Sequence, residues 1–440
     1  MRCRSGAPRA VVALIAGVVW IAPVRAFADD PEDDAQGEAG GPLWWLVSQA
    51  PSRAGSQAEG GGIGQDLEAP PEELELETTI GGALRFNAFY KSWARETTIR
   101  SSGNDVAFDT FRIDVESRYG PLSLSVEYRF YAGYNMLQHG WLAYRVLDVA
   151  DLKLGLVRVP FGPLPYASNN WFFNLGYYVG LEDDYDIGGR ADFDFGQVDV
   201  QLAYLHNDEG SYSGTSIDSA RYSYDLVRSD GNEVPAIGPD GERTSEEQHQ
   251  VNARMTVSGE HGTLGETEVG LSGQWGAIRS GADDSTGYHW AASAHVRGRY
   301  GPVGLTLQAA RYGYEPPVEA GQDERWVVMG AYDAPYRVAS EAYLLSGGVS
   351  YRFELDRGPL DSLTLYEDYS RLAKLEPGYA DTQQSVTGAL LAAGPLYVYF
   401  DVALGKNHPW IGPSYTDALA EGSPDADWEV RVNANVGYYF

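Results

Sequence analysis

The sequence predicts an all-β protein: a transmembrane antiparallel β-barrel of about 16 strands, with short periplasmic turns and long extracellular loops. Three observations predict it. Apolar and polar residues alternate with a period of two through much of the span from residue 78 to residue 440. Tight joints recur between the alternating runs, and the last run ends on Phe440 with its apolar side chains on one face. A period of two marks a strand with one dry face and one wet face.

Composition sets the outer limits. The chain has 440 residues, 32 basic and 62 acidic, for a formal charge of −30, yet 43% of it is hydrophobic. With 52 Gly, 30 Tyr and 11 Trp it is not a largely disordered chain. No segment of the body is long and apolar enough to predict a membrane-spanning helix. The acidic excess argues against nucleic acid as a partner, because phosphate binding requires a basic face. Cys3 is the single cysteine, so disulfide frameworks and Cys-based zinc sites are excluded.

Residues 1–28 read as a secretory signal peptide. Arg2, Arg4 and Arg9 precede the apolar run Ala10 to Ile21, and Ala26-Phe27-Ala28 forms a small-x-small cleavage site. Cleavage there leaves 28 basic and 62 acidic residues, a charge of −34, and no cysteine. Residues 29–77 carry 13 acids against one base, Arg53, with Gly60-Gly61-Gly62 and Pro70-Pro71 among them. Such a segment cannot bury enough apolar surface to offset its ordering entropy, and it is predicted to be a flexible acidic periplasmic arm. Leu43-Trp44-Trp45-Leu46 is an apolar island in it. The arm is too short for a folded plug.

The barrel is predicted over residues 78–440. In Phe111 to Tyr119, one face carries Phe111, Ile113, Val115 and Tyr119, and the other carries Arg112, Asp114, Glu116 and Arg118. Leu124, Val126, Tyr128 and Phe130 oppose Ser125, Glu127 and Arg129 in the next run. Tyr288, Trp290, Ala292, Ala294, Val296 and Tyr300 oppose His289, Ser293, His295, Arg297 and Arg299 further on. Gly120-Pro121, Gly301-Pro302, Gly358-Pro359 and Gly394-Pro395 are turn punctuation. Further tight joints lie at 148–151, 196–197 and 260–262, and long polar connections are predicted at 131–140, 160–186, 207–249 and 405–427. Seven short joints make fourteen strands, and a first strand near 80–93 with a last at 428–440 makes sixteen. Arg325 to Ala331 also looks like a strand and is assigned to a long loop or to the extension of a neighbour.

A soluble sandwich would bury the dry faces against a second sheet, whereas a lipid-facing barrel turns them outward and the charges into a wet lumen. Aromatic residues near strand ends, such as Tyr119, Tyr300, Tyr351 and Tyr397, favour the barrel. In the last strand Val430, Val432, Ala434, Val436, Tyr438 and Phe440 share one face. This resembles the terminal signature that the barrel-assembly machinery reads in bacterial outer-membrane proteins, with Tyr438 and Phe440 as the signal. The expected location is the cell outer membrane, amid lipid and lipopolysaccharide.

Alternation also points side chains into the lumen. The basic set is Arg85, Arg112, Arg118, Arg129, Arg145, Arg190, Arg254, Arg297, Arg299, Arg352 and Arg431; the acidic set includes Asp114, Glu116, Glu127, Asp192, Asp194, Asp199, Glu268 and Glu429. Such rows either impose a transverse field on the channel or pair across neighbouring strands.

The run Leu152-Lys153-Leu154-Gly155-Leu156-Val157-Arg158-Val159-Pro160-Phe161-Gly162 is similar to the strand entering the third loop of the phosphate-selective porin O and P family. The resemblance implies a sixteen-stranded homotrimer that passes small hydrophilic solutes or ions, anions such as phosphate among them, through a water-filled channel. It further implies a third loop near 160–186 folded inward, with Pro160, Phe161, Gly162, Trp171, Glu182, Asp183 and Asp184 at the constriction. That family has lysine-rich constrictions, and this chain has only Lys91, Lys153, Lys374 and Lys406, so phosphate selectivity does not transfer. Arg112, Arg129 and Arg145 at the constriction would give a slight anion preference, and Glu182 to Asp186 would reverse it if they turned inward. A binding or adhesion barrel acting through its long loops is the alternative. No enzyme, cofactor or metal signature stands out: His289 and His295 share a wet face without an acidic ligand spacing. The acidic segment 207–249 is expected to be solvated or to bridge cations to lipid.

Overall fold

The structure is a computed structural model that describes residues 74–94, 105–239, 241–283, 285–317 and 322–440. The predicted signal peptide and the acidic arm up to residue 73, with its Leu43 to Leu46 island, lie outside the described residues.

Sixteen antiparallel strands close into one barrel. β1 (Leu76–Lys91) is followed by the pairs β2 and β3 (Asp105–Tyr119, Leu122–Phe130) and β4 and β5 (Asn135–Leu147, Ala150–Arg158). Next come β6 and β7 (Tyr185–Asp194, Val198–Asn207), then β8 and β9 (Ser245–Glu260, Glu266–Ser280). β10 and β11 (Thr286–Tyr300, Val303–Glu315) precede β12 and β13 (Glu341–Arg357, Leu360–Lys374). After β14 and β15 (Thr382–Ala393, Leu396–Lys406), β16 (Glu429–Tyr439) returns to β1. Seven short turns lie at one end, as the turn count predicts.

Four of those turns share one device. Gly120, Gly301, Gly358 and Gly394 take φ of 57°, 58°, 65° and 56°. A left-handed first residue lets the chain reverse within two residues, and the proline after it fixes the second. The carbonyls of Pro121, Pro302 and Pro395 accept N–H groups of Arg145, Arg352 and Tyr439 on the adjacent strands at 2.9 Å. Gly155 is required for another reason: with φ 133°, its Cβ would stand 2.3 Å from the carbonyl oxygen of Gly140. It lies where β5 presses on β4, just before the third loop.

The outer wall is apolar at mid-height, with Leu154, Leu202, Met255, Leu271, Leu345 and Phe400 exposed. Aromatic residues ring both ends of this belt: Tyr119, Tyr144, Tyr300, Tyr351 and Tyr438 at the short turns, and Tyr90, Tyr204, Tyr288, Tyr343 and Tyr369 toward the loops. This is the outer surface a lipid bilayer requires.

Three sequence readings are corrected here. The strand β1 begins at Leu76, so the last two residues of the predicted arm belong to the wall. The connection predicted at 131–140 shrinks to Tyr131–Tyr134, because a register shift at Glu127/Tyr128 keeps β3 and β4 paired across the break in alternation. The solvated reading of 207–249 fails as well. Asp208, Glu209 and Ser219 to Val227 are buried, because these loop segments fold against other loops.

The segment near Arg325 to Ala331 lies in a long loop, as one of the two assignments had it. Trp326–Ala331 pairs with Ala334–Ala339 and with Asp225–Leu226 of the fourth loop, 208–244, in a separate three-stranded sheet. Loop residues Leu175, Tyr177, Tyr178, Tyr224, Met329, Tyr336, Val338 and Leu419 join wall residues Leu205, Ile278, Tyr312, Leu344 and Leu372 in one apolar core. At that level the inner wall is dry.

The seam between β1 and β16 closes on the last residue. Phe440 donates its N–H to the Gly82 carbonyl at 3.1 Å, and Gly82 donates to the Phe440 carbonyl at 3.0 Å. Deleting Phe440 removes both bonds and an exposed apolar ring at the lipid face. We expect unassembled chain to accumulate and the heat-modifiable band in isolated outer membranes to fall; an unchanged band would count against this role.

Candidate functional site

The third loop runs from Val159 to Asp184 and crosses the inside of the barrel. At its root the Val159 N–H bonds the Asp184 carbonyl at 2.8 Å, so the loop leaves and returns at one point. Pro160 and Phe161 are buried there. Gly162 is then held by two wall strands: its N–H donates to Ser272 Oγ of β9 at 2.9 Å, and Arg254 Nε of β8 donates to its carbonyl at 2.7 Å. Arg297 of β10 donates to the Leu164 carbonyl.

The loop then reaches β13, β14 and β15. Asp368 accepts the Asn169 N–H and Asn169 Nδ2 at 2.8 Å each, and Asn170 Nδ2 at 2.7 Å. Asp401 accepts the Trp171 N–H at 3.3 Å while Tyr366 donates to its other oxygen at 2.6 Å. Ser370 Oγ accepts the Leu175 N–H at 3.1 Å, and Gln384 Nε2 donates to the Phe173 carbonyl at 2.8 Å. Charge-assisted bonds of this kind are among the stronger ones in a protein interior. Asp368 and Asp401 lie near the middle of their strands, so the loop spans the lumen near mid-height.

The acids at the loop end go to three places. Glu182 turns back to accept the Ala167 N–H at 2.8 Å, and burial pushes its carboxyl up to about 8. Asp183 takes Arg158 Nη2 at 2.8 Å and the Tyr222 hydroxyl at 2.6 Å. Asp184 faces Asp186 and Asp225. Trp171 packs half-buried beneath Arg431, whose guanidinium lies 5.0–5.7 Å from the rings of Phe89, Phe172 and Trp171.

The wall formed by β1, β2 and β3 carries a charged ladder. Arg85 pairs with Asp109 at 2.9 Å. Glu127 sits between Arg112 at 3.1 Å and Arg129 at 2.5 Å, and Asp114 is 3.9 Å from Arg112. Arg129 lies 4.4 Å over the Tyr222 ring and Arg112 lies 5.2 Å over the Tyr439 ring. The side chains in these pairs are only 6–16 % exposed, so the ladder is packed among its neighbours.

The remaining predicted lumen residues are scattered. Arg145 is half exposed at the short-turn rim, bonded twice to Asp151 at 2.8 Å, and so does not stand beside Arg112 and Arg129. Its strand does point it inward, but two residues from a turn inward means the barrel mouth. Arg299 pairs with Glu266 at 3.0 Å and Arg118 is exposed near the same rim. Arg190 pairs with Asp192 at 2.5 Å, and Lys153 reaches the same carboxylate at 3.0 Å. Glu116 accepts Ser125 Oγ at 2.8 Å. His289 and His295 face Glu247 and Glu268 separately, at 3.6 and 3.1 Å. Sequence reasoning missed Arg158, Asp109, Asp368 and Asp401. The last two sit on the wet face of alternating strands, but nothing in their local sequence marks them as loop anchors.

No family model matches the sequence, and no curated protein matches it. Solved structures match its fold. The outer membrane channel DcaP of Acinetobacter baumannii is 12% identical over 83% of this chain and 97% of its own, with a TM-score of 0.50. The anion-selective porin from Comamonas acidovorans is 10% identical over 83% of this chain and 100% of its own, also at 0.50. The likeness is one of fold.

Two tests follow from the loop anchors. Asp368→Ala strands three donors, each formerly bound to a carboxylate, which costs about 2–4 kcal/mol. We expect a lower denaturation midpoint and greater open-channel noise, both checked against Asp368→Asn. The second test uses His408, in the loop after β15. Its Nδ1 accepts the N–H groups of Trp410 and Ile411 at 3.1 and 3.2 Å, which requires the neutral ring. Burial and then the Arg431 charge pull its pKa down to about 3. Between the unfolded value of about 6.5 and that value, the unfolded chain binds the extra proton, so stability falls as pH drops through this window. His408→Asn, whose carbonyl also accepts backbone N–H groups, should flatten that slope in thermal melts from pH 7 to pH 3.

Proposed function

We propose that this chain forms a water-filled channel in the outer membrane for passive diffusion of small hydrophilic solutes, with weak selectivity and a slight preference for anions. One observation carries the reading: the third loop is tied to β8–β10 and β13–β15, which leaves the charged wall of β1–β3 free of the loop's anchors. Arg85, Arg112, Arg129 and Arg431 face Asp109, Asp114 and Glu127 there, and Arg431 meets no carboxylate in ion-pair contact among the described residues. Charged rows on a channel wall orient solute, and the arginine fork favours anions.

Net charge misjudges this balance. Thirteen acids belong to the predicted arm at 29–77, and at physiological salt charges beyond about 8 Å from the path are largely screened. Phosphate specificity has little support. Lys153 is paired with Asp192 and Lys374 donates to the Ala418 carbonyl at 2.7 Å, so neither offers a free ammonium. The inward packing of the loops favours a channel over an adhesion barrel, since Tyr222, Tyr224 and Tyr336 are used inside the protein. Assembly as a homotrimer belongs to the same proposal and is checked by cross-linking in native membranes.

Planar-bilayer recordings test the reading. We expect small, well-defined steps and a reversal potential in a KCl gradient on the chloride side of zero, shifted toward potassium by Arg112→Gln with Arg129→Gln. The absence of steps would overturn the channel. Strong cation selectivity that survives removal of residues 29–77 would overturn the Arg-lined path.

A further inference from the structure

Where the third loop rejoins β6, five carboxyl groups meet away from water. Asp184 ends the loop, Asp186 is the second residue of β6, and Glu209 and Asp225 belong to the fourth loop. Glu247 stands near the start of β8. Their exposures are 8, 3, 2, 2 and 9 %. One oxygen from each of Asp184, Asp186 and Asp225 lies within 4.8 Å of the other two.

The protein supplies too little positive charge and too few donors for this group. Arg221 bonds Asp225 at 3.3 Å, but it also serves Asp208 at 2.9 Å and Asp218 at 3.1 Å. Glu209 accepts the Ser223 N–H at 2.5 Å through one oxygen, and Glu247 accepts the Leu226 N–H at 3.3 Å. Asp184 Oδ1, Asp186 Oδ1 and Glu209 Oε2 are buried with no partner, and so is Oε1 of the neighbouring Gln250. Gln250 is 3 % exposed, and its Nε2 is 3.5 Å from Asp186. Buried carboxylates left like this are costly unless something neutralises them.

The donor set selects the neutralising species. Every free atom is oxygen, which suits a hard cation. Three carboxylate oxygens this close together can share one cation at contact distances of about 2.4 Å, as calcium requires. A cleft of about 340 Å³, lined by Asp208, Asp218, Arg221 and Glu247 among others, reaches the edge of the group at Glu247.

We propose that Asp184, Asp186 and Asp225, backed by Glu209, Glu247 and Gln250, form a calcium site that staples the end of the third loop to the fourth loop. The proposal stands apart from the channel reading, since binding is measured without conductance. The test uses the full processed protein, stripped with chelator and titrated calorimetrically with calcium or magnesium. We expect one calcium per chain and a thermal midpoint that rises with calcium and much less with magnesium. Asp184→Asn and Asp225→Asn should each weaken calcium binding by at least the roughly 10-fold that loss of an outer-shell partner costs, while the metal-free variants melt no lower than the metal-free wild type because a buried repulsion is gone. The proposal is overturned if the double variant binds calcium as the wild type does. It is equally overturned if the wild type ignores calcium and gains stability only as pH falls from 8 to 5, the behaviour of shared protons. An equal response to magnesium would sink the calcium assignment.

Discussion

Closure of the hydrogen-bonded ring is the constraint on which the rest of this protein depends. In hydrocarbon, each unpaired backbone N–H or C=O costs several kcal/mol, so a sheet that spans a bilayer cannot keep an edge. β16 meets β1 from Ala83 opposite Tyr439 to Lys91 opposite Arg431, and Gly82 with Phe440 completes the ring. Once the ring is closed, a period of two sends every second side chain to lipid and the others inward. The charged inner face is therefore a consequence of closure. Arg112, Asp114, Glu127 and Arg129 are neighbours because β2 and β3 pair Arg112 with Arg129 and Asp114 with Glu127.

The inside of the ring is divided by height and by side. Toward the loops, β7, β9 and β11 to β13 turn Leu205, Ile278, Tyr312, Leu344 and Leu372 inward, and the loops complete an apolar core upon them. At mid-height the same half of the wall offers Ser272, Arg254, Asp368, Ser370 and Asp401, which hold the third loop by its backbone and amides. The loop thus works as a strut: apolar packing holds its aromatic turn at Tyr177–Val179, and charged anchors hold its span. The opposite half keeps its ion pairs, which meet the fourth loop instead through Tyr222 over Arg129.

Charge also divides unevenly. Among the ladder residues of β1 to β3, each carboxylate already faces an arginine, which keeps the field local and reversible by single substitutions. The acids near Asp184 have no such balance, and they occur at the junction of two loops rather than on that wall. A net charge read from composition merges these two populations, although one lies on the wall of β1 to β3 and the other at a junction of loops.

The strand number, the end carrying the turns, the outward face of each strand and the seam-forming last strand were all legible in the sequence. Each depends on neighbours one or two residues apart, and alternation and Gly-Pro turns are local signals. The inward direction of Arg85, Arg112, Arg129, Arg254 and Arg431 was legible for the same reason. Their partners were not, because Arg145 and Arg112 read alike in sequence while one lies at the rim and the other at mid-height. The loops show the limit most clearly. Residues 207–249 look like a solvated acidic run, yet Tyr222, Tyr224 and Arg221 are buried by segments more than a hundred residues away, such as Met329 and Tyr336. Local composition decides whether a segment can be a strand. Which carboxylates anchor a loop, and which are left facing one another out of water, is decided only when closure brings distant strands and loops into contact.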